Sequence, residues 1–275
     1  MTKHQRKNLV AYLKKLGFTK FIDAQYLRAM TIKNQYEDQT NYYKQHVIDI
    51  LKPLDYLADE ESRLTYTKNV ISHLLRSYDN ARESNEKEQY FISLDGFRNN
   101  FNNFIDCGAY TGDTFNKLIN INPNLREYIG FEPNPNSYNE LVSTTLNSNI
   151  KTILFQSAVS NKTGLISFDE NTGSSKISKE GKIFAKSIRL DETLINYPVE
   201  FLKMDIEGEE INALIGAREL INNNSPQLAI SIYHYINHFW EVPNLINSWN
   251  LNYNLFIRSH SSACMETVLY AQRNQ

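Results

Sequence analysis

From Asn102 onward, seven short apolar runs alternate with helical or turn-rich segments, and this alternation constrains the fold more than any other feature of the chain. The runs are FIDCG, EYIGFE, TILFQSAV, EFLKMDIEG, QLAISIYH, NLFIRSH and ETVLYAQ. Segments with helical spacing, SYNELVSTTL, EEINALIGARELI and VPNLINSW, lie between several of them. A strand returning parallel to its neighbour needs a crossover, usually a helix, so the pattern predicts an α/β fold with a parallel sheet wound by helices. Only SSACM joins the last two runs, which is too short for a crossover, and the final strand is therefore expected antiparallel to its neighbour. Between TILFQSAV and EFLKMDIEG, turns of Gly, Asn and Ser interrupt alternating apolar residues and predict additional short β elements.

Residues 1–97 have another texture, rich in Tyr, Lys, Glu and Gln, and read as a helical N-terminal extension ahead of an α/β domain over 98–275. In ADEESRLTYTKNVISHLLRSYDN, the residues Leu64, Val70, Ile71, Leu74, Leu75 and Tyr78 fall on one broad face. Asp59, Glu60 and Glu61 open that helix, where the dipole favours acids. These helices either cover an acceptor site or pair two subunits into a homo-oligomer. ARESNEKEQY reads as a polar connection.

A formal charge of −2 gives no basic excess for neutralising phosphates, which argues against nucleic acid as a partner. The basic start lacks an apolar core of signal-peptide length and no segment is long and apolar enough for a membrane span, so a cytoplasmic protein is expected. Cys107 and Cys264 provide neither a disulfide framework nor a CxxC pair, and both are expected reduced and buried.

Ligands of wound sheets sit at the carboxyl ends of the strands, and acids gather at those ends here. In DCGAYTGDT, Asp106 precedes Gly108, Ala109, Tyr110 and Gly112; Gly108 allows close approach to a ligand and Gly112 allows a helix to pack tightly. The spacing GxxxG departs from the dinucleotide pattern GxGxxG, and an acid suits a ligand carrying positive charge, such as S-adenosylmethionine. Glu132 ends the second run, about twenty residues beyond the glycines, where a carboxylate can accept both ribose hydroxyl protons, with Pro133 and Pro135 stiffening the exit. Asp205 and Glu207 end the fourth run. Glu209 and Glu210 have a dipole explanation in the following first turn, and Lys203, on the side of Asp205, is available to pair with it. His234 at the end of the fifth run is the candidate general base; His260 is a weaker one, and GSSKIS is polar enough to contact an acceptor. Asp205 and Glu207 alone fall short of a defined Mg site, and no metal is expected.

In order, FIDCGAYTGDT, GFEPNP, SAVSNKTGLISF, LDETL, FLKMDIEGEEINALIGA, LAISIYH and METVLYA make the chain resemble FkbM-type S-adenosylmethionine-dependent methyltransferases across about residues 100–272. The resemblance implies a class I, Rossmann-like seven-stranded sheet with an antiparallel last strand. It implies that Asp106, Gly108, Ala109, Tyr110 and Gly112 surround the methionine and sugar of the cofactor, and that Glu132, followed by Pro133, holds the ribose. Ser157, Ala158 and Val159 then lie near the adenine, although the acid common at that third-strand position is missing. Asp205 and Glu207 border the transferred methyl, and His234 matches the histidine ending the next strand. The implied reaction is O-methylation of a hydroxyl on a sugar of bacterial surface polysaccharide or its precursor, or on a small metabolite. The alternatives are an NAD-dependent sugar oxidoreductase, disfavoured by the missing GxGxxG, and a catalytically silent scaffold that binds partners through residues 1–95.

Overall fold

Strand β1 (Asn103–Cys107) is buried beyond its first residue, as a central parallel strand must be when layers cover both faces. It lies in a seven-stranded sheet with β2 (Glu127–Phe131), β3 (Lys151–Phe155), β8 (Phe201–Met204), β9 (Gln227–Ser231), β10 (Tyr253–Ser259) and β11 (Thr267–Arg273). The order is β10-β11-β9-β8-β1-β2-β3. β1 pairs in parallel with β2 and β8, and β8 with β9, whereas β11 is antiparallel to both β9 and β10, as the short SSACM link requires. The computed structural model describes residues 39–75, 78, 81, 89–94, 97, 101–171, 174–177 and 183–273.

TILFQSAV does not form one strand. β3 ends at Phe155, and β4 (Ser157–Val159) joins a second sheet with β5 (Gly164–Asn171), β6 (Ser174–Ile177) and β7 (Ile183–Ile188) in the order β4-β7-β5-β6. The expected extra β elements are therefore present, and the end of the third run belongs with them. Gly173 and Ser178 of GSSKIS lie outside the described residues.

Helices α5 (Asp113–Ile121) and α6 (Pro135–Thr145) follow β1 and β2. The side chain of Asn134 caps α6 by accepting from the N–H groups of Asn136 and Ser137, and Pro135 occupies the first turn, where its missing donor costs nothing. The short α7 (Leu190–Thr193) precedes β8. EEINALIGARELI breaks at Ala217 into α8 (Glu210–Gly216) and α9 (Arg218–Asn224), and buried Asp191 accepts from the N–H of Leu220 in the first turn of α9 at 2.9 Å. α10 (His238–Ser248) contains Pro243 and leads to β10.

Among the described residues, four helices precede the sheet: α1 (Gln39–Gln45), α2 (Val47–Leu51), α3 (Pro53–Tyr56) and α4 (Glu60–Leu75). Asp59 accepts from the N–H of Ser62 at the start of α4 and pairs with Arg258 at 2.6 Å, so it is a cap with a partner. The face of α4 differs from the expected one. Leu64, Ile71, Leu74 and Leu75 are exposed, while Ser62, Thr65, Tyr66, Asn69, Ser72 and His73 are buried with Val70. Two of these polar groups find partners on the edge strand β10 and its neighbour: Ser62 Oγ accepts from the N–H of Ile257, and Asn69 donates to Thr267 Oγ1 at 3.1 Å. The helical reading of the extension also stops short of residues 89–94, which are irregular and hold Tyr90 at φ 69°.

The two faces of the sheet carry different cores. Ile105, Cys107, Ile129, Phe131, Leu202 and Met204 meet Phe239, Trp240, Tyr66 and Tyr42 on one side. On the other, Phe104 stacks with Phe101, Tyr128 and Phe201 at ring separations of 5.6, 5.9 and 5.1 Å, with Phe97 and Phe115 in the same layer. Both cysteines are free and buried, as expected, and burial pushes the Cys264 thiol up to about 12.

Candidate active site

Because β1 lies between β2 and β8, the connections leaving its end and that of β8 open a crevice of the kind that holds ligands in wound sheets. The two ends are in close contact. The N–H of Asp205 donates to Cys107 O at 3.0 Å, and a Cβ on Gly108 would lie 1.9 Å from the carbonyl oxygen of Asp205. Gly108 also has φ +84°, so both conformation and space require glycine there.

Asp106 is fully buried. Its carboxylate accepts from Lys203 Nζ at 2.8 Å and from the hydroxyl of Tyr128 at 2.7 Å, and Lys203 donates also to Gly108 O at 2.7 Å. Burial alone would strip Lys203 of its proton, but Asp106 and Asp205 hold its affinity above the ordinary lysine value. The expected pairing of Lys203 with Asp205 is thus replaced by a pairing with Asp106, which uses both partners to fasten the glycine loop.

Glu132 is buried at the end of β2, and its two oxygens accept from the N–H groups of Tyr110 at 3.0 Å and Asn134 at 2.8 Å. Burial raises its proton affinity above the ordinary carboxylate value, against the lowering effect of those two amides. Tyr110, at φ 47°, is half exposed on the loop above, and Gly112 with φ +90° packs on Thr144. Ala109 is buried in the loop, Pro133 is part-buried beside Glu132, and Ser157 and Ala158 sit at the junction of the two sheets.

At the ends of β8 and β9, Asp205, Glu207 and His234 converge. Asp205 is part-exposed and accepts from the hydroxyls of Tyr90 at 2.6 Å and Tyr233 at 3.3 Å. His234 Nε2 lies 3.4 Å from Asp205 Oδ1 and 3.8 Å from Glu207 Oε2, while Nδ1 lies 2.9 Å from Glu210 Oε1. Burial works against a charge on this imidazole, but Glu210, with Asp205 and Glu207, outweighs it and raises His234 to about 9. A histidine that keeps its proton at neutral pH does not serve as general base, which argues against the role expected for His234.

Glu210, read from sequence as a first-turn acid favoured by the helix dipole, is fully buried. It accepts from the N–H of Ile206 at 2.9 Å and stands 3.2 Å from His238 Nδ1, so it braces the whole rim. The doublet after Gly208 was the only signal available for it. Tyr90 and Tyr233 carried no such signal. The N–H of Tyr90 donates to the hydroxyl of Tyr270, which also contacts His260 Nε2 at 2.7 Å; His260 is therefore a buried structural histidine.

A seven-stranded sheet in this order, with an antiparallel strand inserted near one edge and acids at the ends of β1, β2 and β8, is that of the class I methyltransferases. A family profile for the methyltransferase FkbM domain matches residues 106–261, more than half of the chain, and the protein belongs to this family. The structure is similar to that of methyltransferase FkbM from Methylobacillus flagellatus KT, with a TM-score of 0.73 and 23% identity over 84% of this chain and 60% of that one. The chain thus spans less than two thirds of that protein. Looser likenesses extend to a methyltransferase from Geobacter sulfurreducens (TM-score 0.39, 11% identity, 97% of this chain and 96% of that one). They extend also to Aeropyrum pernix fibrillarin in complex with natively bound S-adenosyl-L-methionine (TM-score 0.37, 14% identity, 66% and 70%). Comparison with curated proteins gives no match. Among the described residues no helix is long and apolar enough to cross a membrane.

Proposed function

We propose that this methyltransferase uses S-adenosylmethionine to methylate a hydroxyl oxygen, on a sugar of surface polysaccharide or its precursor or on a small metabolite. The donor chemistry fits the residues present: Glu132 is an acceptor-only carboxylate locked beside the glycine loop, suited to the two hydroxyl donors of a ribose. Bound there, the cofactor would supply an electrophilic methyl group on a sulfonium centre. Tyr110 would cover the sugar, and Ser157 and Ala158 would border the adenine. The Asp106–Lys203 pair acts indirectly, by fixing the carbonyl of Gly108.

The arrangement at Asp205 carries the hydroxyl reading. It is a part-exposed carboxylate, oriented by two phenols, at the crevice end of the strand beside the glycine loop. A hydroxyl is a weak nucleophile while protonated, and Asp205 is placed to take that proton, an effect worth about 100- to 10,000-fold. Alignment of the acceptor contributes more, roughly 7–11 kcal/mol of the barrier. Calorimetric titration should show that S-adenosylmethionine and S-adenosylhomocysteine bind and NAD does not. A mass-spectrometric screen over sugar acceptors should reveal a product heavier by one methyl group. Binding of NAD alone would overturn the reading.

A further inference from the structure

We infer that His234, Asp205 and Glu207 form a binding site for a divalent first-row transition ion at the rim of the crevice. His234 has 5% of its side chain exposed, and while Nδ1 faces Glu210, Nε2 completes no hydrogen bond of acceptable geometry. A buried polar group left in this state calls for a partner. Nε2 is aimed between two carboxylates, 3.4 Å from Asp205 Oδ1 and 3.8 Å from Glu207 Oε2. A tetrahedral ion with bonds of about 2.0–2.1 Å separates its ligand atoms by about 3.4 Å, so two of the three atoms already stand at coordination spacing. Glu207 is one third exposed, and its Oε2 would have to approach Nε2 from 3.8 Å to complete the set.

The surroundings have the form of a metal site. Glu210, fully buried, lies 2.9 Å from Nδ1 and fixes the ring so that Nε2 faces the crevice, the carboxylate–histidine–metal arrangement. Glu210 is itself held by the N–H groups of Ile206 and Gly208. Three carboxylates around one imidazole leave an excess of negative charge. A donor set of one imidazole and two carboxylates suits Mn2+, Fe2+, Co2+ or Zn2+ better than Mg2+ or Ca2+, which prefer oxygen alone.

The inference deepens the proposed function and rests on it for the role of the ion, though not for its binding. An ion here would displace the proton from Nε2 of His234, hold the acceptor hydroxyl and ease loss of its proton. The O–H bond breaks, its electron pair stays on oxygen, and the proton passes to the second oxygen of Asp205 and then to water.

The test titrates chelator-stripped full-length protein with Mn2+ alone, followed by electron paramagnetic resonance, with Zn2+ as competitor. One Mn2+ per chain should bind and Zn2+ should displace it. Asp205→Asn and Glu207→Gln should each weaken binding by about tenfold or more, with unchanged far-UV circular dichroism. His234→Gln, which keeps a polar group in the buried position, should do the same. Absence of Mn2+ and Zn2+ binding at millimolar concentration, or binding indifferent to all three substitutions, would overturn the site. S-adenosylmethionine affinity of the stripped protein separates the two readings: cofactor binding without metal binding sinks the site alone. Metal binding in a protein that methylates no hydroxyl sinks the substrate assignment alone.

Discussion

At the scale of single residues, the candidate site depends on carboxylates with quite different partners. Glu132 keeps its place through two backbone amides, so replacement by Gln preserves an acceptor while removing the charge. A hydrogen bond to a charged group is worth about 1.5–3 kcal/mol, and Glu132→Gln should raise the dissociation constant for S-adenosylmethionine about 10- to 100-fold, read by calorimetry. Unchanged affinity would remove Glu132 from the site. Asp106 is different, because its charge is spent on Lys203 inside the protein. Breaking a buried pair from one side strands a charge, and Lys203→Met should cost about 3–5 kcal/mol in urea unfolding. Asp106→Asn combined with Lys203→Met should recover a large part of that loss, and strictly additive losses would refute the coupling. The strand-end positions of Asp106, Glu132, Asp205 and His234 were legible from alternation alone, since acids and histidine stood where apolar runs stopped. What Asp106 and Glu210 bind was not legible, because Lys203 and His234 reach them across the sheet and between elements, and local spacing does not encode such contacts.

At the scale of elements, α4 shows how hydrophobic periodicity misleads when a helix covers strand ends. Leucines marked one face, yet the buried face is the one whose Ser62 and Asn69 meet the N–H of Ile257 in β10 and the hydroxyl of Thr267 in β11. His73 belongs to that face, 4% exposed, with its ring against Phe239 and Tyr78 at 5.2 and 5.4 Å. Burial pushes its imidazole down from 6.5 to about 4. The unfolded chain takes up this proton near 6.5 and the folded chain only near 4, so between those values the unfolded state binds more protons and stability falls as the pH falls. Each pH unit in that window costs about 1.4 kcal/mol, roughly 3 kcal/mol in all. His73→Gln should flatten this part of the stability profile relative to the parent, measured by urea unfolding across the window. Parallel profiles would contradict the burial argument. The β1–β8 junction makes a second element-scale demand: Gly108→Ala forces a side chain onto the carbonyl of Asp205 at positive φ. It should lower the thermal midpoint and abolish cofactor binding together, and retention of both would show that the strand ends can part.

At the scale of the whole molecule, seven alternating runs and one short link were enough to anticipate the sheet and its antiparallel strand, because crossover length is a geometric constraint. The docking of the N-terminal segment was not anticipated, since it depends on aromatic contacts between residues far apart in sequence. Trp240 of α10 is fully buried and stands 6.0 Å from Tyr42 and 6.1 Å from Tyr43, while Tyr66 donates to Ile50 O within the same core. Leu57 bridges to Leu255, so the segment also covers the edge strand β10. Further along the chain, Tyr90 donates to Asp205 and thereby brings this segment into the candidate site. A chain cut to residues 98–275 would lose these contacts at once and expose Phe239, Trp240, Leu255 and Ile257, each worth about 1.5–3 kcal/mol of burial. Against a typical stability of about 5–15 kcal/mol, that loss is enough to unfold it. The fragment should therefore show no cooperative thermal transition and no affinity for S-adenosylmethionine. A sharp transition with cofactor affinity equal to that of the full chain would establish instead that residues 98–275 fold and bind alone, and that the helices ahead of them serve only the acceptor or a partner subunit.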